Sequence, residues 1–195
     1  MASSSRPSGR PERKRDTAGY FQKIAPSAST SGASASKPVF DVFINHRGPD
    51  VKKTLASRIY NILRERKVTV FLDSEELEYG DFLPKKIEAV IRSATLHIAI
   101  FSKKYGESPW CLAELSCMLK SGAKIVPIFY YADRTDLRYV AQRKGIYADA
   151  FNRHKKKCRY SSKQIEEWEE ALYKASFYSG QIIKSIKYVP QLLSL

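Results

Sequence analysis

Trp110 and Glu114 are the two side chains whose types and spacing point most directly to a site. They stand four residues apart, so on a helix they share a face. The surrounding stretch, residues 102–119, reads SKKYGESPWCLAELSCML and follows an apolar run at 95–101. Pro109 suits a first helical turn, where its missing N–H costs nothing. Ser108, just before it, can cap that helix. Cys111, Leu112, Leu115 and Leu119 recur at i, i+1, i+4 and i+8 and predict a buried stripe on another face. A large aromatic and a lone carboxylate are thus presented together beside the end of a strand. In open parallel sheets the carboxyl ends of strands are where ligands bind. Spacing alone favours a packed Trp110 and a solvated Glu114, the ordinary state of a helix carboxylate, so other signals have to decide.

A second candidate comes earlier. Residues 39–45 (VFDVFIN) form a β-branched and aromatic run, as in a buried strand. Residues 46–50 (HRGPD) break it, and a helix follows to about residue 66 with Val51, Leu55, Ile59, Ile62 and Leu63 on one face. Asp50 is the expected N-cap. This unit brings backbone N–H groups and two cations, Arg47 and Lys52, to one spot, an arrangement suited to an anion. Ordinary surface charge weighs equally for both. The phosphate loop GxxxxGK[ST] is absent from the chain.

The elements that must position these residues alternate. Strands are predicted at 39–45, 68–72, 95–101 and 124–130, with helices at 50–66, 83–92 and from 109 onward. Four strands alternating with helices imply a parallel sheet with right-handed crossovers. Beyond them, 137–154 reads as helical but irregular. A final amphipathic helix at 164–179 turns Ile165, Trp168, Leu172 and Ala175 inward. Residues 1–37, rich in Ser, Ala, Gly, Pro and Arg, are expected to be a disordered basic tail. Residues 38–180 are read as one domain and 181–195 as a C-terminal extension.

Charge and cysteine usage narrow the class. The net charge is +14. Seven Lys/Arg against two Asp/Glu in residues 1–37 leave +5 there and +9 on the remainder, so the basic character is not confined to the tail. Acidic partners follow: phosphorylated ligands, nucleic acid or anionic lipid. Cys111, Cys117 and Cys158 show no metal-ligand spacing, and an odd count suggests reduced thiols in a cytosolic compartment. No apolar run approaches the roughly 18 residues needed to cross a membrane, and no apolar signal-peptide core is seen.

Taken together, DVFINHRGPDVKKTLASRIYNIL, FLDSEELEYGDFLPKKIEAVIRSA, FSKKYGESPWCLAEL, IVPIFY with ADRTDLR, and WEEAL resemble a plant-type TIR (Toll/interleukin-1 receptor) domain, in the family's order. The resemblance implies a flavodoxin-like α/β fold, a four- to five-stranded parallel sheet flanked by helices. It also implies an enzyme that cleaves NAD+ or NADP+ between nicotinamide and ribose. The products would be nicotinamide and ADP-ribose or its cyclic variants, signalling plant immunity and cell death. NAD(P)+ would be a substrate, with no metal or bound organic cofactor. The chain would be a TIR-only protein of the cytoplasm, its basic tail leaving the nucleus open as a second location.

By the same resemblance Glu114 falls on the catalytic glutamate and Trp110 on an aromatic that shapes the pocket. Arg47, Gly48 and Lys52 fall near the phosphates and ribose, Ser108 on a polar pocket residue, and Asn45 and His46 beside them. The loop with Gly80, Asp81 and Phe82 would help complete a neighbouring subunit's site, so self-association through TIR–TIR contacts is expected. The chemistry suits a single carboxylate. An O-glycosidase needs two, one to protonate the leaving group. Nicotinamide leaves NAD+ as a neutral molecule from a cationic ring and needs no general acid. One carboxylate near the ribose can hold its hydroxyls and stabilise an oxocarbenium-like state.

Three positions depart from the family pattern. His46 replaces an aromatic beside the pocket, Ser57-Arg58 replaces a Ser-His at a self-association face, and Asp133-Arg134-Thr135 stands where Asp-Pro-Ser is common. Two other readings remain: a catalytically silent TIR adaptor that binds other TIR proteins, and a TIR acting on nucleic acid to make 2′,3′-cyclic nucleotides. Retention of Trp110 and Glu114 argues against silence. The run Lys155-Lys156-Lys157 motivates the nucleic-acid reading, although a solvated helix end explains it as well.

Overall fold

All five side chains of the first strand, β1 (Val42–His46), are buried. Burial on both faces is what a central strand of a covered parallel sheet requires. The computed structural model describes residues 40–72 and 85–184. The loop with Gly80, Asp81 and Phe82 and the basic tail lie outside the described residues.

After β1 come α1 (Gly48–Val51), a π-helical turn (Lys52–Ala56) and α2 (Ser57–Glu65), then β2 (Val70–Leu72) and α3 (Lys85–Ser93). They are followed by β3 (Leu96–Ser102), a 3₁₀ turn (Tyr105–Glu107), α4 (Pro109–Ser121) and β4 (Lys124–Tyr130). The chain continues through α5 (Arg134–Arg138), a second 3₁₀ turn (Val140–Gln142), α6 (Ala148–Lys156), α7 (Ser162–Ala175) and β5 (Gln181–Ile183). The five strands pair in parallel in the order β2-β1-β3-β4-β5. This is the doubly wound order whose reversal point lies between β1 and β3.

Alternation along the strands divides the core. Phe43, Ala99, Phe101 and Phe129 share one cluster with residues of α3, α4 and α7. Val42, Ile44, Ile98 and Ile100 share the other with Val51, Leu55, Ile59 and Leu63. Those last four recur every fourth residue, wider than the 3.6 of an α-helix. The π-helical turn, which bonds five residues back, takes up part of the excess.

Two expectations are corrected. Asp50 is not the N-cap. Arg47 holds that position with no side-chain cap, and Asp50 lies inside the first turn. The reason is Pro49, whose fixed φ suits a helix start and brings it forward. The segment assigned to a C-terminal extension contributes β5, which pairs with residues 128–130 of β4. Its first two residues are exposed and only Ile183 is buried, so it carries no strand pattern to read.

Asp133 has a definite task. It accepts from Thr135 N and Asp136 N and caps α5, while Asp136 answers its own N–H in a capping box. The hydrogen bond from the Thr135 side chain, first, and the two backbone N–H groups hold its carboxyl below the usual range.

Gln164, near the start of α7, is only 3% exposed, and neither amide atom has a hydrogen-bond partner among the described residues. An unsatisfied buried amide costs about 1–3 kcal/mol. Gln164→Met keeps the length and removes the polar atoms, so it should stabilise the fold by about 1 kcal/mol, read as a higher urea midpoint. A lower midpoint would mean that ordered water serves the amide.

His97 and His154 are buried, and burial holds both imidazoles below the ordinary value of 6.5 against the opposing effect of their backbone bonds to Ile91 and Gly106. Unfolding restores the ordinary value, so below pH 6.5 the unfolded chain binds more protons. This stability is full above pH 6.5 and is lost as the pH falls from there through the folded-state values. The urea midpoint should therefore drop between pH 7 and pH 5, and less steeply in His97→Gln. An unchanged slope in the variant would remove His97 from the account.

Candidate active site

The carboxyl ends of β1 and β3 meet the start of α4 at the sheet's reversal point. Ser108 and Pro109 open α4 as the sequence predicts: the Ser108 hydroxyl accepts from Cys111 N, with proline in the first turn. This start places Glu114 one turn in, over the end of β1. The side chain is 8% exposed, and its Oε2 accepts a hydrogen bond of 2.8 Å from Asn45 Nδ2. Glu114 is therefore not the solvated helix charge that spacing alone favours.

Asn45 is fully buried. Its Nδ2 also donates to the Cys111 carbonyl at 3.3 Å, and its Oδ1 accepts from the Tyr105 hydroxyl at 2.5 Å. Cys111 Sγ donates to the His46 carbonyl at 3.3 Å. Burial, reinforced by nearby Glu114, pushes the Cys111 thiol far up. Burial does the same to the Tyr105 hydroxyl. Both groups are thus neutral donors, and Cys111 has no thiolate character for nucleophilic work.

Arg47 leaves β1 toward the same end. Its guanidinium pairs with Asp50 and lies 3.4 Å from Glu107 Oε2. Glu107 Oε1 in turn binds Arg153 of α6 at 2.9 Å. Asp50 also accepts from the Ser102 hydroxyl at the end of β3. The cation predicted for an anion site is thus aligned by carboxylates from two sides. Gly48 and Lys52 flank it in α1 and the π-helical turn, partly buried. Trp110 is partly buried and packs against the core cluster that holds Phe43 and Phe101. His46 is buried, with Nδ1 3.4 Å from the Ile44 carbonyl. Ser57 donates to the Lys52 carbonyl of the preceding π-helical turn, and Arg58 is exposed.

Sequence reasoning missed Tyr105, Glu107 and Arg153. Tyr105 carried one usable signal, a large ring with a polar tip between a strand and a helix. The ion pairs of Glu107 span 60 residues to Arg47 and 46 to Arg153, and nothing local announces them.

A separate groove of about 400 Å³ lies between α4 and α7, bordered by Leu119, Lys120, Ala171, Phe177 and Tyr178. Neither Glu114 nor Arg47 lines it. Among the described residues no helix is long and apolar enough to cross a membrane.

Comparison with known proteins agrees with this fold. The family model described as TIR domain matches residues 39–194. The TMV resistance protein N of Nicotiana glutinosa is 33% identical over 154 residues, 77% of this chain and 13% of that protein. A Brachypodium distachyon protein named probable 2′ cyclic ADP-D-ribose synthase BdTIR is 42% identical over 98 residues, half of this chain and 44% of that protein. The chain thus spans less than half the length of these relatives. Among solved structures, the TIR domains of the activated Roq1 resistosome superpose with a TM-score of 0.65 at 28% identity, over 78% of this chain and 98% of that one. With the strand order, the family model and these matches in agreement, the chain belongs to the TIR domain family.

Proposed function

We propose that this chain is an NAD(P)+ nucleosidase of the ADP-ribosyl cyclase and cyclic ADP-ribose hydrolase type, acting in plant immunity and cell death. The observation that carries the reading is the setting of Glu114. A carboxylate is nearly removed from water, oriented by a fully buried amide, and placed where a parallel sheet of this order receives ligands. The relative named as a probable 2′ cyclic ADP-D-ribose synthase supports it.

The chemistry needs little else from the protein. As the ribose C1′–N bond of NAD+ breaks, the bonding pair leaves with nicotinamide, which departs neutral. Positive charge develops on the ribose ring. Glu114, held with its charge aimed, stabilises that charge and holds ribose hydroxyls. A water molecule then bonds C1′ and loses a proton, giving ADP-ribose; capture by a hydroxyl of the same molecule gives a cyclic product. Arg47, with Gly48 and Lys52 beside it, is assigned to the phosphates. Trp110, Ser108, Asn45 and His46 form the walls and supports, and NAD(P)+ is substrate, with no further cofactor. The loop with Gly80, Asp81 and Phe82 is assigned to a neighbour's site, and Ser57 and Arg58 to a self-association face. The resistosome likeness supports assembly.

The test is to incubate purified protein with NAD+ and with NADP+ and to separate the products by chromatography and mass. Nicotinamide together with ADP-ribose or a cyclic isomer supports the reading. Intact dinucleotide after long incubation of folded, concentrated protein contradicts it.

A further inference from the structure

Asn45 links Glu114 to Tyr105 by hydrogen bonds, and its amide is nearly saturated. One N–H goes to Glu114 and the other to the Cys111 carbonyl, while the carbonyl oxygen accepts from Tyr105. A primary amide can turn over about its last torsion and exchange donor for acceptor. Turned over here, it would aim a carbonyl oxygen at a carboxylate. The Tyr105 hydroxyl opposes that. It is buried and neutral, so it remains a donor, and it sits 2.5 Å from Oδ1 and 2.9 Å from the Cys111 carbonyl.

The ring is held independently of its hydroxyl. It packs edge-on against Phe101 at 4.8 Å. The turn that carries it is anchored by His154 Nε2, which donates to the Gly106 carbonyl at 2.9 Å, and the end of β3 before it by the Tyr147 hydroxyl, which donates to the Ser102 carbonyl at 2.6 Å. Gly106 lies so close to the Tyr147 ring that an added Cβ would stand 3.0 Å from it. Loss of the hydroxyl alone therefore leaves the turn in place.

We propose that Tyr105 is a positioning residue that acts through Asn45 to keep the Glu114 carboxylate aimed. The proposal rests on the assignment of Glu114 as the catalytic carboxylate. Tyr105 touches no reacting atom; it fixes which end of the Asn45 amide faces the carboxylate. A carboxylate that loses a hydrogen bond to its charged form takes up its proton at higher pH.

The experiment compares wild type with Tyr105→Phe, Asn45→Ala and the double variant. Tyr105→Phe should lower kcat for NAD+ about tenfold, with KM within about twofold, because no substrate contact is lost. The acid limb of the kcat profile should move to higher pH. The double variant should lose no more than Asn45→Ala alone, since one group works through the other. A purely packing role would add instead.

A second readout does not depend on turnover. Carbon-13 NMR of glutamate-labelled protein, with the Glu114 signal assigned by its absence in Glu114→Gln, should show the carboxyl titrating higher in both single variants. The titratable and charged groups around this cluster are His46, Arg47 and Asp50 before it, Tyr105 and Glu107 in the turn, Cys111 and Cys117 on α4, Tyr147 beside the Tyr105 ring, and Arg153 and His154 of α6 against the turn. The Tyr105 phenol and the two thiols, all shifted upward, do not titrate on the acid side. If wild type cleaves no NAD+, the enzymatic reading fails while the NMR titration still decides the coupling. A wild-type kcat and an unmoved Glu114 titration in folded Tyr105→Phe would overturn the proposal.

Discussion

Glu114→Gln is expected to lower nicotinamide release from NAD+ by about 10³-fold, the upper end of what removal of one transition-state stabiliser costs. The substitution is nearly isosteric, and its carbonyl oxygen can still accept the bond from Asn45 Nδ2 that Glu114 accepts at 2.8 Å. What disappears is the negative charge. In the ground state NAD+ already carries its positive charge on the nicotinamide ring. In the transition state that charge moves to the ribose, and a carboxylate beside it gains most at that moment. The loss should therefore fall on kcat more than on KM. The urea midpoint should stay within about 1 kcal/mol of wild type, because a buried, bonded neutral amide replaces a buried, bonded charge. Steady-state rates by chromatography, with circular dichroism as the fold control, provide the measurement. A variant that keeps a tenth of wild-type activity would place the decisive charge elsewhere.

Gly180→Ala should destabilise the fold by about 3 kcal/mol, a loss typical of strong overpacking at a site that cannot yield. An added Cβ would stand 2.3 Å from the Pro127 carbonyl oxygen, 2.6 Å from Pro127 Cγ and 3.0 Å from Phe129 Cε2. Two of these atoms belong to the backbone or fused ring of β4, not to a flexible side chain. Pro127 is paired in register with Ala99 of β3, so β4 cannot move aside without opening the sheet. β5 would have to leave instead, and with it Ile183, which is buried in the cluster containing Ile128. Equilibrium urea unfolding reads the effect. A loss under about 1 kcal/mol would show that the edge strand adds little to the fold. Activity per folded molecule should be unchanged, because neither Gly180 nor β5 touches the Glu114 network.

The contrast between these two residues shows what the chain discloses of itself. The place of Glu114 was legible because α4 announces its own start with Ser108 and Pro109, and because the apolar run before it marks a strand end; its burial was not, since spacing alone favours a solvated carboxylate. β1, β3 and β4 were legible for a related reason: strands buried on both faces read as continuous apolar runs. β5 was not, since one buried residue in three makes no pattern. The π-helical turn was hidden in a four-residue spacing that also fits a loosely drawn α-helix. Asp50 was misread because Pro49 starts the helix before it. Most of what surrounds Glu114 is long-range: Asn45 lies 69 residues away, and Tyr105 meets Asn45 across 60. Sequence types can nominate such partners, but only the parallel pairing of β1 with β3, which leads into α4, brings them together.

The account stands most directly on one assay: nicotinamide release from NAD+ by wild-type protein over rising protein concentration, with a crowding agent, beside Glu114→Gln at each point. Release that rises more steeply than the protein concentration and is lost in the variant is the predicted result. Folded wild-type protein that releases no nicotinamide at any concentration, or a Glu114→Gln variant that matches wild type throughout, would contradict the assignment.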